Sequence, residues 1–439
     1  MVCLRLVNKN NNNIVFYLIL NASVYSLITI YFFLRKRDCS IGIFILLLYS
    51  LSAWASVSFF THPLFEYSLH NSKITLEPFI YLFIVLMLFI YPVIKFKNDS
   101  ISTITIPPYK KFIPLINIIF IVSAVSIIIN FSLMVKGLSG DIAANRNIIM
   151  DSGYKSSGNP ILTTISRVSN SLRDISIMLF FFMLCFYPKK KVVLFFLGVC
   201  AFATPLIASF ANSARTTIIL IAISFIANTL LFRKFLPKKT LKYLKISSFV
   251  LVGILLIPFV LISVSRFGNN DFFSMDFFLI KYPGESFINF NGILYNDLKT
   301  TSDGASNFPL FRRFFFLDYQ KSIADYRNVW GPKLGVPVHI FYQFIGGLYM
   351  DFGRQLTVVI AIIVFFIEKH FIKFSKVLNF NVLILLTLFI PIYTEGIFYF
   401  TFGNEPGNLK IILTIILFIY FKGAFPIRKL QSINGKKTY

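Results

Sequence analysis

Long apolar stretches, separated by short polar segments, run along most of the chain. The hydrocarbon core of a bilayer is about 30 Å thick and takes about 20 apolar residues in a helix. The pattern therefore predicts an all-α, polytopic integral membrane protein with eleven transmembrane helices. We expect these spans at 14–34, 41–60, 78–94, 112–135, 166–187, 192–209, 216–232, 246–264, 340–367, 378–394 and 409–421.

Clusters of basic residues follow every second predicted span and indicate the orientation of the chain. They lie at 35–37, 95–111, 189–191, 233–245, 369–376 and 422–437. Cytoplasmic loops of membrane proteins carry an excess of Lys and Arg, so we expect the N-terminus outside and the C-terminus in the cytoplasm. The first span ends in a basic cluster with no small-residue cleavage site after it, so we expect it to be retained.

Composition supports the membrane class. Hydrophobic residues make up 56% of the 439 residues and charged residues 14%, whereas soluble domains carry about 25% charged residues. The net charge of +25 would suggest nucleic acid in a soluble protein, but here the positive-inside bias explains it, so we expect no nucleic-acid partner. The four cysteines are scattered and predict no disulfide framework and no metal site.

The two predicted sides of the membrane differ in the kind of basic residue they carry. The cytoplasmic side has 24 basic residues, of which 20 are Lys, and 3 acidic ones; the outer side has 19 basic residues, of which 10 are Arg, and 15 acidic ones. Arg binds phosphate and carboxylate groups through two parallel hydrogen bonds, which Lys does not. The outer face is therefore expected to bind an anionic ligand, unless these residues form ordinary loop salt bridges.

The loops divide the chain into three parts. Residues 1–264 hold the first eight spans and an outer loop at about 136–165. Residues 265–339 form one long extracytoplasmic loop, whose aromatic runs predict short helices on the membrane surface or rings that stack on sugars. Residues 340–439 hold the last three spans and a basic cytoplasmic tail.

The short turn between the sixth and seventh spans is the first candidate anion site. Asn212 or Ser213 can cap the next helix, and Arg215 lies in its first turn. A helix N-terminus attracts anions and disfavours a cation, so an Arg there is explained by a phosphate docking beside it. The alternative is an interfacial Arg that reaches to lipid headgroups.

The start of the fifth span is the second candidate site. Arg167, Asn170 and Asp174 share one helix face, and Arg173 lies beside them. Charged side chains this close to the hydrocarbon are costly and usually functional. Arg146 in the preceding loop can join this group. A structural Arg–Asp pair between helices is the rival interpretation.

The long loop supplies the third group of candidates. A neutral His is a suitable general base at physiological pH, and His339 lies where this loop returns to the membrane. A lone His is also often just a hydrogen-bonding residue. The charged candidates of the loop are Arg266, Glu285, Arg312, Arg313 and Arg327.

The fourth candidate is the glycine-rich stretch 346–354 at the outer end of an overlong apolar segment. Its glycines permit close packing or a broken helix. Asp351 would then be buried near membrane level and paired with Arg354 or another Arg, and Tyr349 is a candidate substrate contact.

Nucleotide and metal signatures are missing from the sequence. It has no Walker A pattern, no Asp-x-Asp pair and no His/Cys cluster. We therefore expect no cofactor and no metal, and a substrate that arrives already activated.

The chain resembles the O-antigen and capsule repeat-unit polymerases (Wzy-type), within the larger group that includes the O-antigen ligases. The resemblance rests on the Asn212-Ser213-Ala214-Arg215 turn, the 346–353 stretch and the layout, with a long outer loop before the last few spans. It implies a bacterial cytoplasmic (inner) membrane protein. It also implies a chain-length regulator and a flippase as partners, besides the lipid bilayer.

The resemblance implies a metal-independent membrane glycosyltransferase. A glycan on undecaprenyl pyrophosphate is transferred to the non-reducing-end sugar of a new undecaprenyl-pyrophosphate-linked oligosaccharide repeat unit, and undecaprenyl pyrophosphate is released. Arg215, with Arg146 or Arg313, is expected to stabilise the growing charge of the leaving group. His339 is the first candidate for the general base, followed by Glu285 or Asp351.

Two other functions remain open from the sequence. An O-antigen ligase uses the same donor with a lipid A core acceptor, and the sequence separates it poorly from a polymerase. A lipid-linked oligosaccharide flippase is a different class of protein. It would place charges across both halves of the bundle and show an internal repeat, whereas here the charges cluster on the predicted outer side.

Overall fold

A computed structural model shows an almost entirely helical protein with one small sheet. It describes residues 9–36, 40–65, 74–96, 101, 103–139, 160–212, 216–244, 246–247, 253, 275–315, 323–338, 340–372, 377–423 and 427–429. The first helices are α1 (Lys9–Lys36), α2 (Ile41–Phe60), α3 (Leu76–Lys95), α4 (Tyr109–Ser139), α5 (Pro160–Ser171), α6 (Arg173–Phe186), α7 (Lys191–Gly198), α8 (Thr204–Ala211) and α9 (Thr216–Phe232). They are followed by α10 (Met275–Asn289), α11 (Tyr295–Asp297), α12 (Pro309–Phe314), α13 (Ile323–Leu334), α14 (Gln343–Phe371), α15 (Phe380–Glu395) and α16 (Glu405–Tyr420).

The all-α class is confirmed, and several helices suit a membrane. Within the described residues, six helices are long and apolar enough to cross a bilayer by length and composition alone, or seven if the bent pair α5 and α6 counts as one span. One of the six is α14, which is broken at Gly353. These two helices meet at Leu172 with a bend of 48°. The predicted number of eleven spans is not confirmed: α9 and α15 are apolar but shorter, and 246–264 lies almost wholly outside the described residues.

The small sheet lies where several predicted cytoplasmic segments meet. Strand β1 (Thr103–Thr105) pairs in parallel with β2 (Val377–Leu378) and antiparallel with β3 (Ile427–Lys429). Side chains add further contacts between these segments: Tyr187 donates a hydrogen bond to the Pro107 carbonyl at 2.9 Å, and Lys234 donates one to the Ile101 carbonyl at 3.1 Å. The segments that flank the basic clusters therefore share one end of the bundle.

Helix α10 packs closely against α2, although the sequence assigned its residues to an outer loop with helices on the membrane surface. The backbones nearly touch, because a Cβ atom added at Gly284 would lie 2.5 Å from the Ala55 carbonyl oxygen. Ser56 donates a hydrogen bond to the Gly284 carbonyl at 2.8 Å, and Ser52 donates one to Pro283. Small residues and hydroxyls of this kind allow helices to approach closely. The apolar pattern does not predict this helix within the bundle, because Pro283 and Gly284 interrupt it.

Helix α14 is a hairpin of two arms rather than the single span predicted at 340–367. The clearest evidence is Tyr393 of α15, which contacts both arms. Its ring lies 5.9 Å from the ring of Phe344, and its hydroxyl donates a hydrogen bond of 2.6 Å to Glu368. A straight helix would hold Phe344 and Glu368 about 36 Å apart. The helix therefore reverses between them.

The reversal occurs at Gly353, whose φ of +71° and ψ of −177° are not helical. Along the first arm, the contacts with α3 move from the C-terminal part of α3 towards its N-terminus. Along the second arm, they return towards the C-terminal part of α3. Phe344 contacts Phe89, Tyr349 contacts Tyr81, Arg354 pairs with Glu77 and Phe365 contacts Tyr91. The first arm (343–352) thus begins inside the bundle beside the C-terminal part of α3. The second arm (354–371) runs back in the opposite direction beside the same part of α3. The broken helix that the glycines permitted is the observed structure.

The close contact between α10 and α2 makes a testable prediction. We expect Gly284→Ala to lower the stability of the purified protein in detergent by about 1–3 kcal/mol, because the new Cβ must push two backbones apart. Gly331→Ala in α13 is the matched control, since an added Cβ there meets nothing within 4 Å. Thermal melts should show a lower midpoint for Gly284→Ala alone. Equal melting of both variants and the wild type would contradict the close packing.

Candidate functional site

Two arginines from distant parts of the sequence meet one carboxylate at the N-terminus of α16. Arg167 of α5 forms an ion pair with Glu405, and Arg313 Nη1 of α12 lies 3.7 Å from Glu405 Oε1. Asn404 caps the helix by accepting a hydrogen bond of 2.8 Å from the Gly407 amide. The side chain of Arg313 is 55% exposed. Two guanidinium groups beside a helix N-terminus form an electropositive surface that favours an anion.

Hydrogen bonds hold the arginine-bearing segments in place. Ser171 at the end of α5 donates to the Pro406 carbonyl at 2.7 Å. The Leu310 amide in α12 donates to Asn408 Oδ1 at 3.1 Å, and Asn408 Nδ2 donates to the Asn307 carbonyl at 2.8 Å. The first turns of α16 therefore hold both α5 and α12, which carry the two arginines, in place.

A network of four charged side chains lies inside the bundle behind this surface. Arg173 Nε donates to Asp174 Oδ1 at 3.0 Å and also pairs with Glu395 at the end of α15. Lys410 of α16 pairs with the other oxygen of Asp174. Ser224 of α9 donates to Asp174 at 3.2 Å. Buried charges need such partners, and the two cations balance the two anions.

The network borders a small cavity on its α9 side. Its polar lining comes from Asp174, Ser224, Asn228 and Thr387, and its volume is about 10 Å³. This is room for about one water molecule. The Asp174 carboxylate therefore borders a small, partly polar cavity inside the bundle.

Asp351 lies at the end of the first arm of α14 and binds the loop that precedes α12. Its side chain is fully buried. It accepts hydrogen bonds from the Ser306 amide at 2.9 Å, the Asn307 amide at 3.0 Å, Asn307 Nδ2 at 2.7 Å and the Ser302 hydroxyl. Asn307 Nδ2 also donates to the Gly347 carbonyl at 2.7 Å. A carboxylate with so many donors is typical of a structural role. Within the described residues no Arg pairs with Asp351, and Arg354, its expected partner, pairs with Glu77 instead.

Glu285 lies on α10, outside the candidate spans, and is 7% exposed. Burial raises the pKa of its carboxyl group to about 7, while Lys281, 4.0 Å away, acts in the opposite direction. A carboxyl group with a pKa near neutrality suits proton transfer at physiological pH.

Three of the remaining candidates from the sequence, Tyr349, Arg312 and Arg327, lie in described parts of the chain, and four lie outside them. Tyr349 is buried among aromatic rings, and its hydroxyl donates to the Tyr295 carbonyl at 3.1 Å. Arg312 donates to the Asp303 carbonyl at 2.8 Å. Arg327 lies in α13, next to Tyr326, whose hydroxyl is hydrogen bonded to that of Ser306. Four candidates lie outside the described residues, namely Arg146, Arg215, Arg266 and His339.

The structure brings together residues that the sequence analysis did not connect. Arg167, Arg173 and Arg313 were candidates, but their partners Glu395 and Glu405 were not. Lys410, the partner of Asp174, was not a candidate either. Lys410 offered a signal, since it is a charge inside an apolar run and such residues are functional candidates by default. Glu395 and Glu405 offered a weaker signal, because Glu395 directly follows the predicted span 378–394 and Glu405 lies four residues before the predicted span 409–421.

Among the residues that the structure describes, no group of three or more His, Cys, Asp or Glu side chains is placed to hold a metal ion. Comparison with protein-family models, curated proteins and solved structures found no match to this chain. The residues and their geometry therefore carry the functional argument.

The buried network predicts strong coupling between Asp174 and Lys410. We expect Asp174→Asn and Lys410→Met each to cost about 3–5 kcal/mol, because each leaves the buried network with one uncompensated charge. The double variant should lose less than the sum, since it retains the neutral Arg173–Glu395 pair. Thermal melts in detergent measure these losses, with the exposed Lys422→Met as the control. Simple additivity of the two losses would contradict the network.

Proposed function

We propose that this protein is a membrane glycosyltransferase that polymerises undecaprenyl-pyrophosphate-linked oligosaccharide repeat units into a surface polysaccharide. It would act on the outer side of the bacterial cytoplasmic membrane. The observation that carries the proposal is the meeting of Arg167 and Arg313 at the N-terminus of α16, with the Arg173 network behind them. The arginine bias of the predicted outer face and the resemblance of the sequence support it.

The electropositive surface suits a pyrophosphate leaving group. In the proposed reaction, an acceptor hydroxyl oxygen forms a bond to the anomeric carbon of the donor glycan. The bond from that carbon to the pyrophosphate oxygen breaks, and the pyrophosphate leaves with the electron pair. Arg167 and Arg313 would stabilise this charge in place of Glu405, which they now share. Both arginine side chains are partly exposed, so a pyrophosphate group can reach them.

Glu285 is our choice for the general base among the described carboxylates. It would take the proton that the acceptor hydroxyl loses as the new bond forms. Its pKa of about 7 keeps a useful fraction ionised at neutral pH. Asp351 is less suited, because its oxygens already accept four hydrogen bonds from the neighbouring loop.

The arginine surface predicts the glycan profile of bacterial cells. Deletion of the gene should restrict the surface glycan to one repeat unit, and the wild-type chain should restore the full ladder. Arg167→Ala and Arg313→Ala should restore little polymer, because loss of one such donor costs about 10²–10³ in rate. Arg35→Ala is the matched control, an exposed Arg that donates to Tyr31 at the far end of α1.

Membrane levels of each variant should be measured by immunoblot. A full ladder from both arginine variants at normal levels would overturn the proposed site. Accumulation of long lipid-linked polymer in the deletion strain would identify a ligase instead. Absence of repeat units from the outer side of the membrane would identify an exporter.

The Glu285 carboxyl group predicts a pH dependence of polymerisation by the purified enzyme. Only the ionised carboxylate accepts a proton, so the rate should rise with pH through about 7, the raised pKa of this group. Glu285→Gln should lower the rate by about 10²–10⁴ and remove this rise. Its fold should survive, because burial already favours the neutral form. Glu77→Gln, at a carboxylate that is 62% exposed, is the control. An active Glu285→Gln enzyme with the same pH profile would exclude this base.

A further inference from the structure

Three half-buried aromatic rings lie together where α10, the start of α14 and the turn after α15 meet. The ring of Phe341 is 5.8 Å from that of Tyr282 and 5.6 Å from that of Tyr399, with which it stacks at an angle of 18°. All three residues keep part of their surface accessible. Flat aromatic surfaces of this kind form the apolar walls of small-molecule sites.

Buried polar groups without partners adjoin these rings. Asn289 Nδ2 donates to the Phe341 carbonyl at 3.1 Å, but its Oδ1 finds no partner among the described residues. The hydroxyl of Ser286, one turn earlier on α10, and both amide atoms of Gln343 are also unsatisfied within the described chain. Each of these side chains is at most 1% exposed. An unsatisfied buried polar group costs about 1–3 kcal/mol, so four such atoms on three side chains need an explanation.

The backbone of Gln343 is also strained. Its φ is +63°, which is unfavourable for any residue except glycine. Two hydrogen bonds hold it there: the Gln343 amide donates to the Phe398 carbonyl at 2.9 Å, and the Phe344 amide donates to the Gly396 carbonyl at 2.8 Å. Strain that the surroundings maintain is typical of functional sites. The backbone at the start of the first arm of α14 is thus fixed, while the side-chain amide of Gln343 has no partner within the described residues.

We propose that this region is the acceptor-sugar subsite of the enzyme. The amides of Gln343 and Asn289 and the hydroxyl of Ser286 would bind sugar hydroxyls, and the aromatic rings would pack against the apolar face of a sugar ring. A sugar needs this combination, because it presents alternating hydroxyls around an apolar C–H face. The proposal rests on the proposed function and names the half of the site that holds the acceptor.

The position of the subsite fits the transfer reaction. Glu285 lies one turn before Asn289 on α10, which puts the proposed base beside the sugar hydroxyls. At the opposite edge, Tyr399 lies four residues after Glu395, which pairs with Arg173. The acceptor oxygen would attack the donor between these two groups, and its proton would pass to Glu285 as the pyrophosphate leaves.

The unpartnered groups allow a test that separates binding from folding. Gln343→Met and Ser286→Ala remove polar atoms that have no partner within the described chain, so the melting temperature should stay the same or rise. We expect each variant to raise the KM for the lipid-linked repeat unit as acceptor by about 10-fold, the effect of about one lost hydrogen bond. The Kd for undecaprenyl pyrophosphate alone should not change.

Thr204→Val is the matched control, because it removes another buried, unpartnered hydroxyl, on α8, and should leave the KM unchanged. Arg313→Ala should show the reverse pattern, a weaker Kd for undecaprenyl pyrophosphate with little change in the KM for the acceptor. Unchanged KM values in both Gln343→Met and Ser286→Ala would overturn the subsite. Buried water would then satisfy these groups, and the polymerase proposal would stand.

A second measurement separates the two proposals. Free oligosaccharide, released from the lipid-linked repeat unit, should bind the wild-type protein in calorimetry and bind Gln343→Met about 10-fold more weakly. If the wild type binds this sugar in the expected way but forms no polymer, the subsite stands and the polymerase proposal fails. If the wild type forms polymer and Gln343→Met binds the sugar normally, the subsite is wrong.

Discussion

Polar groups within the hydrocarbon layer must find their partners inside the protein, and this constraint organises the bundle. A straight apolar helix meets it by itself, whereas a broken helix does not. The loop before α12 covers one side of the reversal at Gly353 and supplies the partners that its first arm needs. Asn307 binds the Gly347 carbonyl, and the amides of Ser302 and Asp303 bind the carbonyls of Met350 and Asp351. The loop before α12 thus completes the end of the first arm of α14.

The same constraint explains the charged network. Arg173 and Asp174 lie just after the bend between α5 and α6, where the chain enters the bundle. Their charges are tolerated because Glu395 and Lys410 reach them from α15 and α16. The network fixes the positions of these helices, and it thereby fixes the N-terminus of α16, on which the more exposed arginines converge.

The two proposed halves of the site share the short turn between α15 and α16. One end of this turn carries Glu395 and receives the start of α14 through hydrogen bonds from Gln343 and Phe344. The other end carries Glu405 and its arginines. A turn of this length can hold a donor and an acceptor next to each other. This is the geometry that a transfer between two bulky lipid-linked glycans requires.

The sequence by itself determined the class of protein and the positions of most helices. The length of an apolar run and the spacing of basic clusters are local properties of the chain, and they are matched to the thickness and the two sides of a bilayer. It also indicated Arg167 and Arg173 as candidates, since charges beside apolar runs are costly. Arg313 and Glu285 were candidates as charged residues of the predicted long outer loop. Only the tertiary structure decided their partners, the hairpin form of α14 and the buried position of α10. These depend on contacts between residues far apart in the chain, such as Tyr393 with Phe344 and Glu368, which no local pattern encodes.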